Sequence, residues 1–139
     1  MKYLLLIILV SGCYPFYQNQ INPDEVKKIQ IENHTQNQYK LEEISCTDRV
    51  LIEKMVYEMN NIKLISSYVD VKNNFGSFDI KIETKDRSKM SFSLLNTAND
   101  GVIIEVFDEL GFIDPEYYKN DNLEKLVLSL FQSEGNSSD

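Results

Sequence analysis

Residues 77–84, SFDIKIET, decide how this chain folds. Phe78, Ile80 and Ile82 alternate with Asp79, Lys81 and Glu83. That period of two puts apolar side chains on one face of a strand and charged ones on the other. Such a strand needs neighbours with the same alternation, and they lie on both sides of it. Downstream, the charged turn KDRSK (85–89) leads into MSFSLL (90–95), where Met90, Phe92 and Leu94 repeat the pattern. NDG (99–101) supplies residues that tolerate positive φ in a tight hairpin, and VIIEVF (102–107) completes the next strand. Upstream, VKKIQIEN (26–33) alternates at Ile29 and Ile31, HTQNQ (34–38) reads as a polar turn, and YKLEEI (39–44) sets Tyr39 and Leu41 on one face. KLISSYVDV (63–71) reads as a further strand, followed by a loop, NNFGS (73–77).

Two segments change period. RVLIEKMVYEMNNI (49–62) carries Leu51, Met55 and Met59 at spacing four, joined by Ile52, Val56 and Ile62 into one broad apolar face. Glu53, Lys54 and Glu58 face away, and Thr47 or Asp48 can cap the start. After Gly111 and Pro115, NDNLEKLVLSLF (120–131) resumes helical spacing through Leu123, Leu126, Val127 and Leu130, with Asp121 and Glu124 placed as a capping box. The expected order is β-β-α-β-β-β-β-α. Short connections favour antiparallel neighbours, and a sheet apolar on one face needs a cover. The fold class expected is therefore α+β: a twisted antiparallel sheet of about five to six strands with two helices on one face. One domain is expected over residues 25–132, with a disordered polar tail at 133–139.

The front of the chain follows other rules. In MKYLLLIILVSGC (1–13), one basic residue, Lys2, precedes a short apolar run, then Ser11, Gly12 and Cys13. This is the layout of a secretory signal, and the run falls short of the roughly 20 residues that span a hydrocarbon core. VSGC (10–13) resembles the lipobox of bacterial lipoproteins. The resemblance implies cleavage between Gly12 and Cys13, lipidation of the Cys13 thiol, and a protein anchored to the membrane through acyl chains. Two or three chains hold firmly, since each buried CH₂ contributes about 0.8 kcal/mol. Tyr14, rather than an Asp, follows the cysteine, which resembles the outer-membrane pattern if the cell has two membranes. Residues 13–24 then read as a tether, with Tyr14, Phe16 and Tyr17 suited to a bilayer interface. The layout of the remainder broadly resembles small domains carried by many bacterial lipoproteins. No residue motif accompanies that likeness, and it transfers no chemistry.

Removing residues 1–12 takes away Lys2 and no acid, leaving 13 basic and 22 acidic residues and a formal charge of −9. Such a balance argues against nucleic acid, whose binding rests on Lys and Arg contacts to phosphate. With Cys13 lipidated, Cys46 has no partner for an intrachain disulfide and reads as a buried, inert thiol.

Catalytic and metal constellations are not legible. The single histidine, His34, falls in the polar turn and reads as solvated, and nothing in the sequence brings it to Cys46. Three or four zinc ligands at short spacing are missing, so no metal and no cofactor are expected. NTANDG (96–101) resembles the start of an EF-hand loop, but Ala98 stands at its third position and Phe107 at its twelfth. Asp108, Glu109, Asp114 and Glu116 read as a solvated acidic loop. Paired carboxylates for glycoside cleavage are defined by their separation in space rather than along the chain, and the chain has no Trp to line a sugar cleft. No glycine-rich phosphate loop occurs.

Surface aromatics remain. Tyr68, Phe75, Tyr117 and Tyr118 fall in or beside expected loops, with Tyr57 on the first helix, and are the candidate interface residues. The expected function is a lipid-anchored, non-enzymatic binding module of the cell envelope whose partner is an envelope or extracellular protein. The alternative is a protective inhibitor or immunity lipoprotein against a basic toxin or lysozyme-like enzyme. An envelope enzyme ranks third.

Overall fold

The computed structural model describes residues 21–35, 39, 41–65, 74–87, 89–97, 101–107 and 116–135. Its strands are β1 (Val26–Asn33), β2 (Glu43–Cys46), β3 (Lys63–Leu64), β4 (Asn74–Thr84), β5 (Lys89–Thr97), β6 (Gly101–Phe107) and β7 (Glu116–Lys119). Its helices are α1 (Arg49–Asn60) and α2 (Asp121–Gly135). The strands form one sheet in the order β2-β1-β4-β5-β6-β7-β3, antiparallel at every pairing. The α+β architecture stands, with seven strands among the described residues in place of five to six. The extra strand is β7, EYYK, which follows a Gly and Pro punctuated stretch and is too short to display an alternation.

Alternation sorts the sheet into two faces. On the inner face, Ile29 and Ile31 lie opposite Ile82 and Ile80 across β1–β4, and Ile80 lies opposite Phe92 across β4–β5. Leu94, Ile104 and Tyr118 continue the layer through β5, β6 and β7. Ile52, Met55, Val56 and Met59 of α1 and Leu123, Val127 and Phe131 of α2 join the same buried cluster. Tyr39, Phe78 and Phe131 form an aromatic group with centroids 5.0 to 5.9 Å apart. Their tilted rings avoid the unfavourable face-to-face arrangement. Tyr39 precedes β2 yet packs on this core, as does Leu41, so the strand starts later than their pattern suggests. Cys46 is a buried thiol on the same face, opposite Ile29.

The sheet is buried on its other face too, near one end. Leu95 and Ile103 form a second small cluster with Ile65 and Tyr117. Leu94–Leu95 and Ile103–Ile104 are consecutive apolar pairs in register across β5–β6. Consecutive apolar residues mark strands covered on both sides.

Both helix starts are fixed by side chains. Asp48 accepts a hydrogen bond from the Leu51 amide at 2.9 Å. The cap of α2 is Asn120, one residue earlier than the expected capping box: its Oδ1 accepts from the Asn122 and Leu123 amides at 2.9 and 3.3 Å. Asn120 Nδ2 also donates to the Glu58 carbonyl and carboxylate at 2.8 and 3.0 Å, tying the start of α2 to the end of α1. Glu124 acts in no such box. Burial, and the negative charge of Asp121 beside it, raise its pKa. Helix α2 continues to Gly135, three residues into the stretch expected as tail.

The expected tether is also shorter. Ile21 packs on the core, and Asn60 clamps its backbone, accepting from the Ile21 amide at 3.0 Å and donating to its carbonyl at 2.8 Å. A short 3₁₀ turn, Pro23–Glu25, follows. There Arg49 donates to the Pro23 carbonyl at 2.7 Å and pairs with Asp24. The chain is therefore docked along α1 from Ile21 onward.

Asn120→Ala removes a cap and an interhelical bond together, and should cost about 1–2 kcal/mol in urea unfolding. Asp121→Ala, which touches neither, should stay within about 0.5 kcal/mol. The reverse ranking would restore the expected capping box.

Candidate functional site

Two surfaces carry chemistry, one on each side of the molecule. The first is a row of polar side chains crossing the outer face of the sheet. Strand register places Glu43, Glu32, Asp79, Ser93, Glu105 and Tyr117 directly opposite one another in sequence from β2 to β7. Three carboxylates therefore stand side by side on β2, β1 and β4, although like charges directly opposite are destabilising in a sheet.

Cations and hydroxyls relieve the row unevenly. Lys81 donates to Glu32 Oε1 at 2.6 Å. That hydrogen bond is the main reason the Glu32 pKa is lowered, and Glu32 in turn raises that of Lys81. Ser93 donates to Asp79 Oδ1. His34 Nε2 lies 3.1 Å from Asp79 Oδ2 and 3.6 Å from Glu32 Oε2. At the far end, burial raises the Glu105 pKa above the usual carboxylate value, opposed by a hydrogen bond with Tyr117 and reinforced by the charge of Asp79.

His34 is half exposed, but its backbone is not loose. Asn33, just before it, ties the two arms of the hairpin: its amide donates to the Glu42 carbonyl at 2.7 Å and its Nδ2 to the Leu41 carbonyl at 2.9 Å. Asn33 Oδ1 also accepts from the amide and hydroxyl of Thr35, which is buried. The histidine is thus held between two anchored residues.

The second surface is helical. Val50 and Tyr57, seven residues apart on α1, are 60% and 65% exposed, and Leu64 just beyond is 50% exposed. A recess of about 700 Å³ between α1 and α2 is lined by Val50, Tyr57 and Leu126, with Glu53, Glu58 and Lys125 beside them. A second recess of about 480 Å³ opens where α1 ends and α2 begins, and Tyr57 and Glu58 line that one as well.

The expected site residues scatter. Gly12, Cys13 and Tyr68 lie outside the described residues, and Phe75 lies on β4. Tyr117 sits on the outer face beside Glu105. The expectation for Tyr118 is corrected. It is 2% exposed, faces the core between the sheet and the helices, and donates its hydroxyl to Glu116. Adjacent residues of a strand point to opposite faces, so only one of the two tyrosines could reach the outer face. Cys46 and His34 are not brought together, the thiol facing the core and the imidazole the outer row. Sequence reasoning passed over Glu32, Asp79 and Glu105 individually, because nothing along the chain marks them as neighbours. No family model, curated protein or solved structure matches the chain.

Glu105 gives this surface a pH signature. Its raised folded-state pKa means that ionising it costs stability, lost as pH climbs through the interval above the ordinary glutamate value and regained on acidification. Glu105→Gln should therefore raise the melting temperature by a few degrees at pH 7 and lose that advantage near about pH 4. An equal gain at both pH values would show that burial of the charge is not the cause.

Proposed function

We propose that this chain is a lipid-tethered, non-enzymatic binding module of the cell envelope that docks a protein partner through the groove between α1 and α2. The observation that carries the reading is Tyr57, a large aromatic side chain left 65% exposed on a helix. It lies between exposed Val50 and Leu64 and faces two recesses. Tyrosine combines a broad apolar face with a polar tip and is enriched among residues that dominate binding energy. Glu53 and Glu58 flank it, with Lys54 and Lys125 on the same rim. A partner with an apolar ridge and a rim of both signs complements that pattern, and the −9 charge of the processed chain speeds the encounter when that partner is basic overall. A basic toxin or lysozyme-like enzyme would satisfy the same chemistry, which is how the inhibitor or immunity role enters as a special form of this reading.

The tether follows from the proposed lipidation of Cys13. Eight residues from there to Ile21, fully extended, reach at most about 26–29 Å. The domain works close to the bilayer, within reach of other envelope proteins and unable to sample far from it.

The test is in-cell crosslinking of the tagged chain followed by mass spectrometry, with Cys13→Ser and Tyr57→Ala as comparisons. One dominant envelope partner is expected, lost with Cys13→Ser and reduced at least about tenfold with Tyr57→Ala, as for a residue worth more than about 1.4 kcal/mol at an interface. Tyr57→Ala should leave the melting temperature nearly unchanged, since the ring is exposed. Recovery of the same partner by all three chains would refute both the anchoring and the docking surface. Sensitisation of cells to a basic lytic enzyme on deletion would select the immunity form, and unchanged survival would remove it.

A further inference from the structure

We propose that Glu32, His34 and Asp79 form a binding site for a divalent transition-metal ion of the zinc class, bridging β1 and β4 on the outer face of the sheet. The site is independent of the groove between the helices and of the docking reading.

Three observations converge on it. The first is geometric. The ligating atoms of the three residues all lie within 4.8 Å of one another, and His34 Nε2 stands 3.1 Å from Asp79 Oδ2 and 3.6 Å from Glu32 Oε2. Metal–ligand bonds of 2.0–2.2 Å at tetrahedral angles separate neighbouring ligand atoms by about 3.3–3.6 Å. The imidazole thus already stands near coordination distance from each carboxylate, and a modest rotation of the acids closes the remaining side.

The second is orientation. Each carboxylate has one oxygen held from behind, Glu32 Oε1 by Lys81 and Asp79 Oδ1 by Ser93. The other oxygen of each turns toward His34. Outer partners that orient carboxylate ligands are the usual support of metal sites. His34 itself is set by Asn33 and Thr35 rather than left on a free loop.

The third is electrostatic. Glu43, Glu32 and Asp79 are stacked across three adjacent strands. Lys81 pairs with Glu32 and also attracts Asp79 and Glu43, so one ammonium faces three carboxylates. A dication between Glu32 and Asp79 would relieve a repulsion that the register otherwise imposes. One imidazole and two carboxylates form a mixed nitrogen and oxygen set, which suits zinc and its neighbours rather than calcium or magnesium, whose ligands are oxygens. With three protein ligands and a half-exposed histidine, solvent completes the coordination. The ion would pin the turn end of the β1–β2 hairpin to β4.

The test uses the full chain without a histidine tag, in detergent and stripped by a chelator. Zn²⁺ is titrated by calorimetry and Co²⁺ by visible absorption. One equivalent of Zn²⁺ is expected, with Co²⁺ d–d bands and a rise in melting temperature with metal concentration. His34 is the sole histidine, so its ¹⁵N imidazole resonances report the ligating nitrogen without ambiguity. His34→Gln and Asp79→Asn should weaken Zn²⁺ by well over about tenfold, and Ser93→Ala by about tenfold through loss of orientation. Circular dichroism of His34→Gln should match the parent, because the side chain is 49% exposed. No binding to the parent chain, equal binding by His34→Gln, or preference for Ca²⁺ over Zn²⁺ would each overturn the proposal.

Discussion

The pairing of β1 with β4 is the constraint on which the rest of the structure depends. In one register, Ile29 and Ile31 meet Ile82 and Ile80 beneath the helices while Glu32 meets Asp79 on the opposite face. A slip of one residue would carry every isoleucine to solvent and both acids into the core, and so is heavily disfavoured. Burying four isoleucines at about 1.5–3 kcal/mol each far outweighs the repulsion between two partly solvated carboxylates. The acidic row is thus a consequence the core imposes, and Lys81, Ser93 and His34 are placed where they soften it. Strand β4 then transmits the register, aligning Phe92 with Ile80 and Ser93 with Asp79, and β5 passes it on to β6.

Elements long enough to show their period were legible from residues alone. SFDIKIET, VKKIQIEN and the repeat of spacing four in α1 needed no tertiary information, because each has a whole face to bury. What escaped was short or was settled by distant partners. Four residues of β7 cannot establish a period of two. The docking of Ile21 depends on Asn60, and that of Pro23 on Arg49, 39 and 26 positions along the chain. Asn120 and Asp121 are both good caps by type, and the choice fell to Asn120 because only it has amide protons to give to Glu58 as well. Leu94–Leu95 and Ile103–Ile104 did hold a readable sign of burial on both faces, visible once the two pairs are set opposite each other.

The site was less legible than the fold for a related reason. Searching for ligands at short spacing suits loops and helices, where neighbours in sequence are neighbours in space. On a sheet the neighbours are set by register, so a histidine in a turn and an aspartate on a later strand look unrelated until the pairing is known. The same physics separates Tyr117 from Tyr118. One lines the outer row and the other fills the core, and which is which depends on the register of β7 against β6.

The two surfaces differ in how they could respond to a ligand. The groove lies on helices whose packing is already complete without Tyr57 or Val50, so occupying it need not reorganise the core. The acidic row is built into the sheet's own pairing, and any cation gathered there acts on the register that holds β1 against β4. Because β1 leads directly from the segment docked on α1 by Arg49 and Asn60, stiffening β1 also stiffens the point where the chain leaves toward its proposed anchor. The proposed docking and the proposed cation site thereby fall on opposite faces. Between them lies a single close-packed core, in which the sheet's isoleucines meet Met55, Met59 and Phe131 of the helices, so the two surfaces share no side chain.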